Sequence, residues 1–253
     1  MSPHLNHPLV GWQHWRDLLF LHWRVPAESI QRTLPAGLEV DTFDGKAYVG
    51  IVPFAMERVR PRFLPWLPWL SAFLELNVRT YVRDAHGVRG VWFYSLDCDQ
   101  PVGVELARHL FHLPYMHARM RVQRTPSSFV YDCARRGQSS PPWRYAWTLT
   151  GNGTPARPHS LDEFLVERYV LYCADAQQRV YRGCVSHTPY RIHTPHVEAY
   201  DTGPATLAGF ELIGEPVSIL AAGAVDVAIH SLRRLPPGSG DLPLKAIQTP
   251  DSR

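Results

Sequence analysis

Strand-length stretches of alternating character, joined by turns of two or three residues, recur along almost the whole chain. The clearest is FLELNVRTYV, residues 73–82. In a strand, successive side chains point to opposite faces. Leu74, Leu76, Val78, Thr80 and Val82 then form one row, and Phe73, Glu75, Asn77, Arg79 and Tyr81 form the other. A nearly unbroken apolar row faces Glu, Asn and Arg. The polar row therefore lies either in solvent or against an interior space.

Two further strands repeat the pattern. In LHWRV, His22 and Arg24 share a face opposite Leu21, Trp23 and Val25. In YMHARMRVQ, Tyr115, His117, Arg119, Arg121 and Gln123 share a face opposite Met116, Ala118, Met120 and Val122. Solvated antiparallel strands commonly have one polar face. These rows concentrate Arg, His, Tyr, Asn and one Glu instead of Thr, Lys and Ser. Arg offers a fixed bidentate fork for a carboxylate, and His titrates near neutral pH.

The remaining segments set the fold class. Residues 17–25 lead into a strand, and Pro26 opens a short helix, PAESIQRTL. EVDTF and KAYVGIVPFAM, around Asp44-Gly45, read as a hairpin. FLELNVRTYVRD and GVWFYSLDCD read as a second, around residues 85–87. PVGVELARHLFHL has apolar residues at 102, 106, 110 and 113 and reads as a helix. YMHARMRVQR, SSFVYDCARR and WRYAWTLTG are predicted strands. Ser160 and Glu163 have capping-box spacing for another helix. VLYCAD and RVYRGCVSH form a hairpin. PHVEAYDT, a helix over 204–213, PVSILAA and VDVAIHSLRRL complete the chain.

Strands outnumber helices and meet mostly through short turns. The expected class is α+β but β-rich. It is a mostly antiparallel, closed β-barrel-like sheet with a few peripheral helices. One domain is expected over residues 12–235. Residues 1–11 read as an N-terminal arm, and 236–253 as a disordered tail. The proline-broken run around FLPWLPWLSAF reads as a covering loop, a pocket lid or a subunit contact.

Charge and composition narrow the chemistry. A net charge of +3 does not imply a nucleic-acid or membrane partner. Only two of the 26 basic residues are lysine, Lys46 beside a turn and Lys245 in the tail. Schiff-base catalysis needs a lysine that loses its proton in an apolar setting, and neither fits. No CxxC pair exists among the four cysteines. The start MSPHLNHP has no basic region followed by an apolar run, so a cytoplasmic protein is expected. The 13 histidines include His187, His193 and His196 close together, and His109 with His112. None has metal-ligand spacing, so no metal is expected. There is no GxSxG elbow, P-loop or nucleic-acid module.

The blocks HWRVP, DTFDGKAYVGIVPF, FLELNVRTYV, FYSLDCD and LARHLFHLPYMHARM resemble the YqjF-like family, a domain family of unknown function. That family is similar in turn to the acetoacetate decarboxylase superfamily. The resemblance covers most of the chain and implies a β-rich barrel with an internal cavity. In the decarboxylases an Arg and a Glu flank the cavity, and Arg24 and Glu75 have similar settings. The decarboxylases then carry Gly-Phe-Pro-Lys-Lys after a helix, and the first Lys forms the imine. Here the helix is followed by His-Leu-Pro-Tyr-Met. Tyr115 and Met116 stand where the two lysines would be, so imine decarboxylation is not expected.

What remains is a polar, Arg-lined cavity for a small anionic, carboxylate-bearing molecule, with no cofactor. Arg24 and Arg79 are the expected clamp. Glu75 is the expected general base or the orienter of an arginine. Tyr115 and Tyr94 are the acid or donor candidates. His22 and His117 are candidate proton shuttles, and Asn77 is a ligand or neighbour contact. One reading is a cofactor-independent lyase, hydratase or isomerase. A binding or sensing protein and a structural protein with solvated rows are the alternatives. A homodimer through the Trp-Pro loop is compatible with each.

Overall fold

The computed structural model describes residues 7–63, 71–139 and 141–236. The chain opens with strands β1 (Leu9–Arg16) and β2 (Leu18–Val25), helix α1 (Ala27–Gln31) and strand β3 (Leu38–Val40). Next come β4 (Ala47–Pro61), β5 (Phe73–Asp84), β6 (Arg89–Cys98) and α2 (Pro101–Phe111). Then follow β7 (Tyr115–Arg124), β8 (Ser128–Arg135), β9 (Trp143–Thr148), β10 (Thr154–Pro155) and α3 (Leu161–Val166). β11 (Val170–Ala174), β12 (Val180–Ser186), β13 (Arg191–His193) and β14 (His196–Ala199) precede α4 (Gly203–Leu207). β15 (Ser218–Ala222), β16 (Val225–His230) and β17 (Arg233–Arg234) end the described chain.

The main sheet curves in a ring. From β1 the hydrogen-bonded neighbours run through β4, β5, β6, β11, β12 and β16, and β16 pairs with β1 again. The long β4 makes this possible. One edge pairs with β2 near Ala47 and with β1 near Pro61, while the other edge holds β5. A branch from β2 continues to β15 and β13. β7 starts parallel to β6 at Tyr115–His117, then leaves with β8, β9 and β14 to form a second, antiparallel sheet. The architecture is strand-rich α+β, as the segment pattern predicts.

Two apolar layers lie on opposite faces of the ring strands. The outer layer joins Leu21, Trp23, Val49, Ile51, Leu76 and Val78 to Tyr131, Tyr145 and Trp147 of the second sheet. The inner layer joins Phe20, Tyr48, Val52, Phe54 and Tyr81 to Phe164, Leu165 and Val166 of α3. α3 therefore plugs the inside of the ring. Ser160 Oγ caps it by accepting from the Glu163 amide at 3.2 Å. Each buried side chain of Phe164 or Leu165 size contributes roughly 1.5–3 kcal/mol.

β6 contains a bulge that governs which side chains face inward. Arg79 pairs with Phe93 and Val78 with Ser95, so Tyr94 is an extra residue in the ladder. Its other edge changes partner here, from β11 at Val91–Trp92 to β7 at Leu96–Cys98.

Several sequence expectations need correction. The Asp44-Gly45 turn closes only a single bridge, Phe43 to Lys46. β3 pairs with β5 instead of β4, because β3 and β4 run in the same direction along β5, β3 opposite 82–84 and β4 from Thr80 onward, with 41–46 as the excursion between them. β1 begins at Leu9, inside the stretch read as an arm, and is held between β16 and β4. The helix expected over 204–213 ends at Leu207, before Gly209 with its positive φ of 89°. The Trp-Pro run at 64–70 and the tail from 237 lie outside the described residues. Among the described residues no helix is long and apolar enough to cross a membrane.

Candidate functional site

Cross-strand partners share a face, so register assembles the inner surface. Glu75 stands opposite Phe54 and Cys98, Asn77 opposite Val52 and Leu96, and Arg79 opposite Gly50 and Phe93. Gly50 is also opposite His22, and His22 is opposite Ser218 of β15. The β5 row is therefore interior. Glu75 is 2% exposed and Asn77 4%. Phe73, Arg79 and Phe93 on this face keep partial exposure, whereas Leu76, Val78 and Thr80 on the opposite face have none. The inner face is the less completely covered side of β5.

At one end of the row lies a carboxyl–phenol pair. Tyr115 Oη donates to Glu75 Oε2 at 2.7 Å, and the Asn77 side chain also hydrogen-bonds Glu75. Burial raises the Glu75 pKa to about 7, against the lowering effect of these two bonds. Burial and the adjacent Glu75 push the Tyr115 phenol well above its ordinary value, so it stays a donor. The backbone here is pinned from several sides. Arg108 Nε of α2 donates to the Tyr115 carbonyl at 2.7 Å, and the Leu96 amide donates to the Pro114 carbonyl at 3.1 Å. Tyr131 Oη, from the second sheet, donates to the Glu75 carbonyl at 2.8 Å. A buried carboxyl titrating near neutrality accepts or releases a proton with little bias either way.

At the other end lies a histidine–tyrosine–arginine group. Tyr81 Oη donates to the Leu165 carbonyl at 2.8 Å. Its single proton is thereby committed, so His22 Nε2, 2.7 Å away, donates to the phenol oxygen. The tautomer follows from this network, leaving His22 Nδ1 as an acceptor. Burial, and secondarily the Arg79 charge, holds the His22 pKa well below its ordinary value, so the ring is neutral. Arg79 Nη2 donates to the Leu165 carbonyl at 3.0 Å. Gly50 is required beneath this group. A Cβ there would lie 2.9 Å from His22 Cδ2.

The other expected residues are elsewhere. Arg24 is exposed at the end of β2 and makes no ion pair with Glu75, because β15 pairs with β2 only as far as His22 and leaves Arg24 beyond it. Tyr94 is the bulge residue and turns away from Glu75. Its hydroxyl meets Thr33 Oγ1 at 2.7 Å and its ring packs on Phe210. His117 Nε2 reaches Glu105 Oε1 of α2 at 2.9 Å, toward the surface. Arg119, Arg121 and Gln123 are exposed, so beyond Tyr115 the β7 row is a solvated face. Among the described residues no three His, Cys, Asp or Glu side chains are grouped to hold a metal ion.

Sequence reasoning placed Tyr81 in the polar row but gave it no role, although its parity with Glu75 and Arg79 was a signal. Ser218 and the Leu165 carbonyl carried no signal, because long-range register and the seat of α3 bring them here.

Comparison with known proteins agrees with this architecture. The sequence pattern of the DUF2071 family, described as an uncharacterized conserved protein, matches residues 12–226. The uncharacterized protein YqjF of Bacillus subtilis (strain 168) is 35% identical over 186 residues, 74% of this chain and 76% of that one. Among solved structures, acetoacetate decarboxylase from Legionella pneumophila has a TM-score of 0.64 at 12% identity. It covers 91% of this chain and 89% of its own. An acetoacetate decarboxylase-like enzyme from Sphingomonas wittichii RW1 scores 0.62 at 15%, covering 91% and 94%. The enduracididine biosynthesis enzyme MppR, in complex with pyruvate, scores 0.61 at 15%, covering 93% of each chain. At these identities the likeness concerns the fold.

Proposed function

Because the chain belongs to the DUF2071 family and has an acetoacetate decarboxylase-like fold, we propose that it transfers protons on small oxo acids without a cofactor or an imine. The observation that carries this reading is the Glu75–Tyr115 pair on the inner face, with a carboxyl pKa of about 7. MppR, of similar fold at a TM-score of 0.61, is complexed with pyruvate, which supports the substrate class.

In this reading Glu75 removes a proton from the carbon next to a carbonyl and returns it, so no net redox change occurs. Tyr115 and Asn77 hold the carboxylate and stabilise its ionised form. Arg79 attracts the acid's carboxylate. Tyr115 and Met116 occupy the positions that the resemblance assigns to the imine lysines. Lys46 is exposed and cannot substitute.

The experiment is exchange of α-protons into deuterated water, followed by NMR for pyruvate and longer oxo acids. Wild type is expected to exchange them, and E75Q to bind them without exchange. Borohydride trapping is expected to leave no adduct. Exchange that persists in E75Q, or a stable borohydride adduct, overturns the proposal. A second reading, binding without turnover, is favoured by the 2.7 Å bond through which Tyr115 already engages the Glu75 carboxyl. Tight binding with no exchange in the wild type selects it.

A further inference from the structure

The apolar spacing that marks α2 as a helix does not face the core. Val102 and Leu110, on one side of the helix, are 53% and 58% exposed. Among its described residues only Val104 is sealed. An open groove runs along the exposed side, lined among the described residues by Pro101, Val102, Glu105, His109 and Leu110. All five belong to α2, so these residues supply one wall and no second. A lone exposed apolar side chain is ordinary. An apolar stripe along a helix marks the side that packs against something.

The end of the described chain shows what is within reach. His112 ends α2, and its ring packs on Tyr181 of β12 at 5.0 Å between centroids. Arg234 of β17 is opposite Tyr181, and cross-strand partners share a face. The Leu235 amide then donates to the Val180 carbonyl at 2.8 Å. The chain therefore leaves the sheet beside the C-terminal end of α2.

Residues 237–253 follow, beginning Pro-Gly-Ser-Gly. Their apolar part is Leu242-Pro243-Leu244-Lys245-Ala246-Ile247. The chain from Leu235 to Leu242 spans at most roughly 25 Å, ample to pass His112 and reach Leu110. From Leu110 back to Val102 is roughly 12 Å along a helix axis. Extended chain from Leu242 to Ile247 covers roughly 17 Å, enough for the whole groove. Charge agrees with this fit. Glu105 lies midway along the groove, and Lys245 lies within the apolar segment. Arg108 and His117 both bond Glu105 Oε1, and among the described residues Oε2 has no bond.

We propose that residues 242–247 of this chain's own C-terminal tail dock on the outer face of α2, antiparallel to the helix. Leu242 and Leu244 cover Leu110, Lys245 meets Glu105, and Ile247 covers Val102. Arg108 of α2 holds the Tyr115 carbonyl, so the docked tail also steadies the helix behind Tyr115.

The test is hydrogen exchange with mass spectrometry on the full chain, comparing wild type, V102E/L110E and L242E/L244E. Amides of 242–247 are expected to exchange at least about tenfold slower in wild type than in V102E/L110E, the effect of burying one or two apolar side chains. Amides of 101–111 are expected to exchange several-fold faster in L242E/L244E, which leaves the helix sequence intact and so decides the matter even where V102E/L110E frays α2. Equal exchange in all three chains overturns the proposal. Tail protection that survives V102E/L110E places the tail elsewhere and also overturns it. Protection that disappears on dilution, with dimers seen by sedimentation, assigns the face to a second copy and overturns docking within one chain.

Discussion

In β5 the row Glu75, Asn77, Arg79, Tyr81 is enclosed by the ring and α3. In β7 the row Tyr115, His117, Arg119, Arg121 leaves the ring after two residues and faces water. Both rows alternate with an apolar one, and both are rich in charge. The difference lies in what lies across from the polar side. β5 has paired strands on both edges, β4 and β6, and packed layers on both faces. β7 joins a sheet whose apolar side packs against the outer layer and whose other side has no cover at Arg119 and Arg121. Alternation reports that a strand has two unlike faces. Enclosure is decided by other strands.

The sharpest way to break this contrast is to exchange its members. E75Q is expected to reduce α-proton exchange about a hundredfold or more, the usual contribution of a general base. Arg121→Ala is expected to leave exchange unchanged. Comparable losses in both would erase the distinction between the rows.

The next effect is on stability. Glu75 has a folded pKa of about 7 against 4.5 when exposed. The folded state therefore binds the proton more tightly. Its contribution is fully present below about pH 4.5 and is lost as pH rises through about 7. The size is about 3 kcal/mol, from the shift at 1.36 kcal/mol per unit. Urea unfolding at about pH 5 and pH 8 should show this loss in wild type and its absence in E75Q. A wild-type slope no steeper than that of E75Q would place the carboxyl in solvent.

Tyr115→Phe removes a bond that favours the ionised form of Glu75. The midpoint of the pH–rate profile is expected to rise above that of wild type, and stability at about pH 8 to fall by about 2 kcal/mol. An unmoved midpoint would detach the phenol from the chemistry. At the small end, Arg119→Ala and Arg121→Ala are each expected to change stability by no more than about 0.5 kcal/mol, measurable by the same unfolding. A larger loss would mean that the β7 row is covered after all.

Local pattern made much of this legible. The β5–β6 and β11–β12 hairpins, strands β7 and β8 and helix α2 follow from short turns and apolar spacing. The pairing of Glu75 with Tyr115 joined two residues that the sequence had already singled out. The failures are non-local. Arg24 has the right parity but sits past the covered part of β2. Ser218 faces His22 only because β15 pairs with β2, across nearly two hundred residues of chain. Tyr94 escaped simple alternation because one extra residue shifts its strand.

That extra residue also acts as a check on misassembly. Were β6 to zip against β5 without it, every pair beyond Arg79 would slip by one, and Asp97 would meet Glu75 in place of Cys98. Two acids in a dry interior repel, and one would have to take up a proton. In the bulged ladder Asp97 instead turns outward to a bidentate clasp with Arg135, at 2.6 and 2.7 Å. A misaligned chain thus forfeits its ion pair and meets like charge at once, an error signal written into the alignment of two neighbouring strands.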